Sequence, residues 1–215
     1  MSDSNIVHVV DDDEAVRDSV RFLLEASGYT VISHETAESF MATSQISPGG
    51  CVLTDIRMPG LDGLALQRRL REQATPTAVI VMTGHGEVPL AVQAMKNGAV
   101  DFLEKPFEEQ QLLSAVERAL AAAHENKRES ASNSQARALL ATLTPREREV
   151  LDGLVAGHST KSIALTLGAS PRTIEVHRTR VMAKLQAHSL PELVRILQNA
   201  TRTSPPLPHS TLGLN

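Results

Sequence analysis

Residues 52–60 read VLTDIRMPG, an apolar run that stops at the carboxylate of Asp55 and is followed by a Pro-Gly turn. A run this short is a covered strand if similar runs recur along the chain with helical patterns between them. They do recur. IVHVV (6–10) leads into EAVRDSVRFLLEASG, YTVISH (29–34) into AESFMATSQ, CVLTD (51–55) into GLALQRRLREQ, AVIVM (78–82) into EVPLAVQAMKNG, and AVDFL (99–103) into EEQQLLSAVERALAAA. In the first helical pattern Val16, Val20, Leu23 and Leu24 recur at helical spacing, and Gly28 stands where a C-terminal cap falls. The strand runs are nearly unbroken in apolar residues, as parallel strands covered on both faces require. Five such units predict an α/β fold, a doubly wound five-stranded parallel sheet of flavodoxin-like form.

The 215 residues, 41% of them apolar, suffice to bury a core. The one cysteine, Cys51, excludes an intrachain disulfide and sits in an apolar run, so packing is its expected role. No basic leader and no apolar stretch of membrane-spanning length is visible, which predicts a cytoplasmic protein with no membrane partner. Charge is divided unevenly. Residues 1–136 carry 11 Lys and Arg against 20 Asp and Glu, whereas residues 137–215 carry 10 against 5. An acidic front and a basic rear predict a nucleic-acid-binding module at the rear. The polar, Ser/Asn-rich stretch 124–141 reads as a linker or the frayed continuation of a helix, between a front domain at 1–123 and a rear domain at 142–200. Residues 201–215, rich in proline and without periodicity, are expected to be a disordered tail.

Ligands of doubly wound sheets bind beyond the carboxyl ends of the strands. At those ends stand Asp11, Asp12, Asp13 and Glu14, then Asp55, then Thr83 and Gly84, then Glu104, Lys105 and Pro106. Each has a plainer reading. The DDDE run can cap a helix, worth roughly 0.5–2 kcal/mol, Thr83 and Gly84 can be a turn, and Lys105 can be a solvated lysine. Asp55, however, lies too far from the next helical pattern to cap it. Clustered carboxylates repel unless a cation joins them, and hard oxygen ligands at this density suit Mg²⁺. Beside Mg²⁺ an aspartate can act as a nucleophile toward a phosphoryl group. Asp55 is then the nucleophile, Asp11 and Asp12 position the metal, Lys105 pairs with developing charge, and the Thr83 hydroxyl binds a phosphoryl oxygen. Lys105 and Thr83 are expected to transmit a switch more than to hold the fold.

VVDDDEAVR, VLTDIRMPGLDG, MTGHGE and FLEKPF, in this order, resemble the motifs of response-regulator receiver domains over residues 5–123. The resemblance implies that a sensor histidine kinase phosphorylates Asp55, that Asp11, Asp12, Asp55 and the backbone carbonyl of Arg57 hold Mg²⁺, and that Thr83 and Phe102 form a switch pair. Phe102 also has a reading as ordinary core.

The rear sequence from LTPREREVL to LPELVRILQ divides at Gly157, Gly168 and His188 into four helical segments. Thr144 with Glu147 forms a capping box ahead of Pro145, Ser170 with Pro171 repeats the start signal, and the join at LGAS suggests a helix-turn-helix. Projected at 100° per residue, the helix from Pro171 buries Ile174, Val181 and Leu185 and turns out Arg172, Val176, Thr179 and Ala183, with Glu175 and Arg180 on the margins. Arg172 can grip guanine, Val176 can meet a thymine methyl, and Thr179 offers a hydroxyl. Thr173 is placed in the same DNA-facing set. Arg146, Lys161, Arg178 and Lys184 are expected to anchor phosphates, and His177 to pack. The plainer alternative is a helical unit with a solvated basic face.

LTPREREVL, the STKSIALTLGASPRTIEVH block and MAKL resemble the LuxR-type DNA-binding domain of the NarL/FixJ regulators over residues 142–198, most nearly the FixJ group. The resemblance implies a DNA-binding response regulator that dimerises on phosphorylation, binds double-stranded promoter DNA, activates transcription and meets RNA polymerase. It implies no turnover enzyme, only slow loss of its own phosphoryl group. Pairing is expected through the fourth helix and fifth strand, at Val92, Met95, Lys96 and Asp101. The chief rival is an Mg²⁺-dependent phosphohydrolase of the haloacid-dehalogenase type, which places its nucleophile on the first strand and adds a cap; this chain has its candidate on the third strand. A structural adaptor leaves the acidic cluster unexplained.

Overall fold

The computed structural model describes residues 5–43, 49–73, 75, 77–84 and 88–201. The chain divides into two compact units between Arg128 and Glu129. Residues 85–87 of MTGHGE and residues 44–48 lie outside the described residues.

The first unit alternates β1 (Ile6–Val10), α1 (Glu14–Ala26), β2 (Thr30–His34), α2 (Ala37–Met41), β3 (Cys51–Asp55), α3 (Gly63–Glu72), β4 (Ala78–Thr83), α4 (Val88–Lys96) and β5 (Asp101–Glu104), and then enters α5 (Glu109–Ala141). The sheet is parallel throughout, in the order β2-β1-β3-β4-β5. One face packs Val9, Leu53, Ile80 and Met82 against Val20 and Leu24 of α1 and Leu112, Val116 and Leu120 of α5. The other packs Val10, Val52, Val79 and Val81 against Phe40 of α2, Leu66 and Leu70 of α3 and Ala94 of α4. Covered on both faces, β3 and β4 are buried along their whole length, while the edge strands β2 and β5 are mixed. That is why the central runs are continuous in apolar residues and the edge runs are not.

Local chemistry sets the helix ends. The Asp13 side chain accepts from the amides of Ala15 and Val16 and caps α1, and Asp62 does the same for α3 through Ala65. Helix capping thus accounts for Asp13 but not for Asp11 or Asp12. The five-residue α2 starts at a Thr36–Ser39 capping box and is pinned by Phe40, whose ring meets the imidazoles of His8 and His34 edge-on, at centroid distances of 5.1 and 5.3 Å.

Residues 124–141 are helical throughout, as the second half of the 33-residue α5. Ser and Asn are indifferent helix formers, but no Gly or Pro interrupts residues 109–141, and Ala136 and Leu140 are buried. Packing decides where propensity is weak.

The second unit contains the rear of α5 and then α6 (Pro145–Val155), α7 (Thr160–Thr166), α8 (Pro171–Lys184) and α9 (Leu190–Thr201). Its core is built from Leu140, Val150, Leu151, Ile163, Ile174, Val181, Leu185 and Leu193. Arg137 Nε donates to the Ala200 carbonyl and Asn199 Nδ2 to Ser132 Oγ, which ties α9 to α5. The turn between α7 and α8 passes through Gly168 at φ 59°, a left-handed conformation that favours glycine. Thr201, expected in the tail, closes α9; residues 202–215 lie outside the described residues.

Candidate functional site

Register brings the predicted front residues to one sheet edge. Val10 pairs with Thr54, Asp55 with Met82 and Thr83 with Glu104, so Asp11, Asp55, Thr83 and Lys105 emerge at neighbouring strand ends. Lys105 Nζ donates to Asp11 Oδ2 at 2.6 Å and to Asp55 Oδ1 at 2.7 Å. The Asp13 amide donates to Asp11 Oδ1 and the Arg57 amide to Asp55 Oδ2, so each carboxylate is held at both oxygens. Arg17 Nη1 donates to the Asp11 carbonyl at 2.7 Å and fixes the loop from above β1. Thr83 is buried, and its carbonyl accepts from the Lys105 amide.

Asp55 is only 8% exposed. Burial pushes its carboxyl above the ordinary value and Asp11 adds to the rise, while Lys105 and the Arg57 amide pull the other way. Burial alone lowers the pKa of Lys105, but its bonds to Asp11 and Asp55 more than offset this and raise it. The result is a desolvated carboxyl group, its pKa above the ordinary value, bonded to a fixed cation. Lys105 therefore holds two buried carboxylates together as well as serving any switch, a structural share that the sequence does not disclose.

Asp12 is exposed, and among the described residues no three His, Cys, Asp or Glu side chains converge on one point. Two of the three expected carboxylates, Asp11 and Asp55, are bridged by the Lys105 ammonium. These residues still fit Mg²⁺, which takes few carboxylates and keeps several waters. A carboxylate offers about four lone-pair sites, and the bonds made to Asp11 and Asp55 leave some of them open. Phe102 is 44% exposed, which excludes the reading of it as core. Cys51 is buried, and burial pushes its thiol up, out of the reactive range.

In the second unit the division of α8 follows the projection. Ile174, Val181 and Leu185 are buried, whereas Arg172, Thr173, Glu175, Val176, Thr179, Arg180 and Ala183 are exposed. The cations differ among themselves. Lys184 Nζ donates to Glu147 Oε2 at 2.6 Å and to the Thr142 carbonyl at 3.0 Å. Glu147 is buried and its other partner is the Thr144 amide. The Lys184 ammonium, with the Thr144 amide, holds the Glu147 carboxyl down at about 2. Arg146 pairs with Glu149 and donates to the Leu167 carbonyl at the end of α7. Arg178 lies 3.6 Å from Glu175, which also accepts from Thr160 Oγ1 of α7. Among the described residues Lys161, Arg172 and Arg180 make no salt bridge.

The sheet with its acidic edge and the exposed, basic α8 each have known counterparts. The response regulator receiver domain matches residues 7–117, and the luxR family of bacterial regulatory proteins matches residues 141–197. The chain belongs to the response regulators. It is 48% identical to the transcriptional regulatory protein FixJ of Bradyrhizobium diazoefficiens, over 93% of this chain and 98% of that one. Against the tetrathionate response regulatory protein TtrR of Salmonella typhimurium the identity is 43%, covering 88% and 90%. Among solved structures, the response regulator StyR aligns with TM-score 0.79 at 39% identity, covering 90% of this chain and 98% of that one. Full-length FixJ from B. japonicum aligns with TM-score 0.56 at 48% identity, covering 91% and 97%. The chain is thus a two-component response regulator with a LuxR-type DNA-binding domain, a regulator of transcription and not a typical enzyme. No described helix is long and apolar enough to cross a membrane.

Sequence reasoning missed Arg17 and the commitments of Arg146 and Lys184. Helical spacing places Arg17 on α1 but does not say that it turns back to the Asp11 carbonyl. Glu147 carried a signal, as the third residue after a capping Thr, but that signal names only the Thr144 half of its bonding.

Proposed function

We propose that Asp55 accepts a phosphoryl group from a phosphohistidine of a sensor kinase. The observation that carries this is the ammonium of Lys105 at 2.6 and 2.7 Å from the Asp11 and Asp55 carboxylates, at the end of a buried strand. A carboxylate oxygen of Asp55 forms the new P–O bond as the P–N bond breaks, and the imidazole nitrogen keeps the electron pair and takes up a proton. Asp11, Asp12, Asp55 and the Arg57 carbonyl would hold Mg²⁺, which when bound would supply positive charge toward the transferring group. Burial of Asp55 makes its carboxylate a better base and nucleophile, and Lys105 keeps it ionised. The Thr83 hydroxyl donates to a phosphoryl oxygen, and Phe102, exposed on β5 beside α5, follows Thr83 as the second half of the switch. The acyl phosphate is lost slowly by hydrolysis, with no turnover of other substrates.

Phosphorylated chains then pair through Val92, Met95, Lys96 and Asp101, and two linked heads bind a paired promoter site more tightly than one. In each head Arg172, Thr173, Val176 and Thr179 face bases, while Lys161, Arg178 and Arg180 anchor phosphates. Glu175 braces α8 to α7 through Thr160. Lys184, spent on Glu147, leaves the phosphate set. The regulator acts in the cytoplasm as an activator, with RNA polymerase as its final partner. Incubation with acetyl phosphate and MgCl₂ is expected to add one phosphate by intact mass. Undiminished labelling of Asp55→Asn, or labelling indifferent to chelator, overturns the assignment.

A further inference from the structure

The loop from Ile56 to Asp62 supplies the Arg57 carbonyl, and most of its restraints are local. Arg57 bonds back to Asp55, the Gly63 amide to the Ile56 carbonyl, and Asp62 forward to Ala65. Others come from elsewhere: at the start of the loop the Ile56 amide donates to the Met82 carbonyl of β4, and towards its end Leu61 reaches α2. Glu38 Oε1, on α2, accepts from the Leu61 amide at 2.9 Å. The carboxylate sits so close to the loop that a Cβ on Gly60, at φ 78°, comes within 2.9 Å of the same oxygen. Glycine is favoured there by its left-handed conformation, and the Glu38 carboxylate lies against it.

The mounting of Glu38 is firm although the residue itself is exposed. A capping box starts α2, and Phe40, two residues on, is fully buried against the His8 and His34 rings. His34 in turn reaches the acidic site, because its carbonyl accepts from the Asp11 amide at 3.2 Å. The segment around α2 therefore touches both loops that carry the expected metal ligands, one through backbone and one through Glu38.

We propose that Glu38 is a positioning residue for the phosphoacceptor loop, setting the placement of the Arg57 carbonyl through the Leu61 amide. This rests on the reading of Asp55 as an Mg²⁺-dependent phosphoacceptor. A hydrogen-bond acceptor is what the Leu61 amide needs, and charge is incidental. Glu38→Ala is thus expected to loosen the loop, while Glu38→Gln, which keeps an acceptor oxygen, restores it.

Three measurements on the full chain test this. In metal-free buffer the Leu61 amide should exchange faster in Glu38→Ala than in wild type or Glu38→Gln, with Tm little changed. The MgCl₂ concentration at half of the Mg²⁺-induced rise in Tm should move up about tenfold in Glu38→Ala, the usual scale for losing an outer support of a metal site, and stay near wild type in Glu38→Gln. Labelling by acetyl phosphate at saturating MgCl₂ should recover in Glu38→Ala. Wild-type values for Glu38→Ala overturn the proposal alone, as does equal loss in Glu38→Gln, which assigns the effect to charge. A wild-type protein indifferent to MgCl₂ in Tm and labelling overturns the phosphoacceptor reading and the proposal with it.

Discussion

Each unit has a lysine bonded to buried carboxylate, and the two pairs are poised in opposite ways. In the sheet unit one ammonium, Lys105, serves two carboxylates, and burial still pushes Asp55 up. In the helical unit one ammonium, Lys184, serves one carboxylate, and Glu147 is held down at about 2. Glu147 has one cation to itself, and its Oε2 accepts both from Lys184 and from the Thr144 amide of its capping box. Asp11 and Asp55 share a single cation and repel each other. A satisfied pair holds a fold together, whereas an under-neutralised pair stores a demand for positive charge that a ligand can meet.

The largest expected effect lies in the satisfied pair. Lys184→Met leaves the Glu147 carboxylate buried without its cation, and removing one partner of a buried pair is strongly destabilising. The melting transition of the helical unit should fall well below wild type at pH 7. Glu147 has a depressed pKa, so its stabilisation is present above its ordinary value of 4.5 and is lost as pH falls toward about 2. Melting curves from pH 7 to 2 should therefore converge for wild type and Glu147→Gln at the acid end. Parallel curves would break the contrast between the two lysines.

A smaller effect of opposite sign is expected in the sheet unit. The pKa of Asp55 is raised, so its contribution to stability is full below the ordinary value of 3.8 and is lost as pH rises through the folded value. At pH 7 and without metal, the ionised carboxylate costs stability, and Asp55→Asn should melt higher than wild type. The gap should close as pH falls toward 3.8, and MgCl₂ should raise Tm in wild type but not in Asp55→Asn. Lys105→Ala leaves Asp11 and Asp55 facing each other without a cation, so its metal-free Tm should fall and MgCl₂ should restore much of it.

What the sequence discloses follows the same division. Strand ends, caps and the inner face of α8 are set by periodicity and by chemistry within a few residues, so Asp55, the Thr144 box and the Ile174–Val181–Leu185 stripe are all legible. The partners of Lys184 and Glu38 lie 37 and 23 residues away and depend on tertiary approach. A lysine on an exposed basic helix reads as a phosphate anchor unless the buried glutamate is known. The rear of α5 is a different case: Ser and Asn content left a linker and a frayed helical continuation both open, and burial of Asn133, Ala136 and Leu140 shows what packing adds.

Arg172→Ala tests the outward face of α8 itself. Arg172 is exposed and makes no salt bridge among the described residues, so it is available to a base. Its loss should cost roughly 1–3 kcal/mol on a matched site, with little change on a scrambled one. Equal loss on both would move Arg172 to the phosphate set.

The smallest expected effect is the sharpest test of the comparison, because it is an absence. A cation that neutralises a DNA phosphate contributes about 0.9 to the slope of log K against log salt, but only if its charge is free to do so. Lys161 is exposed and makes no salt bridge among the described residues, whereas Lys184 spends its charge on Glu147 at 2.6 Å. Binding titrations at several salt concentrations, at pH 7 and at a temperature where each variant is folded, should show the slope of Lys161→Ala reduced by about 0.9. The slope of Lys184→Met should match wild type. The double variant Glu147→Gln/Lys184→Met removes the buried charge along with its partner and keeps this measurement interpretable if Lys184→Met alone unfolds. A reduced slope in that double variant would return Lys184 to the DNA surface and undo its assignment as the structural lysine.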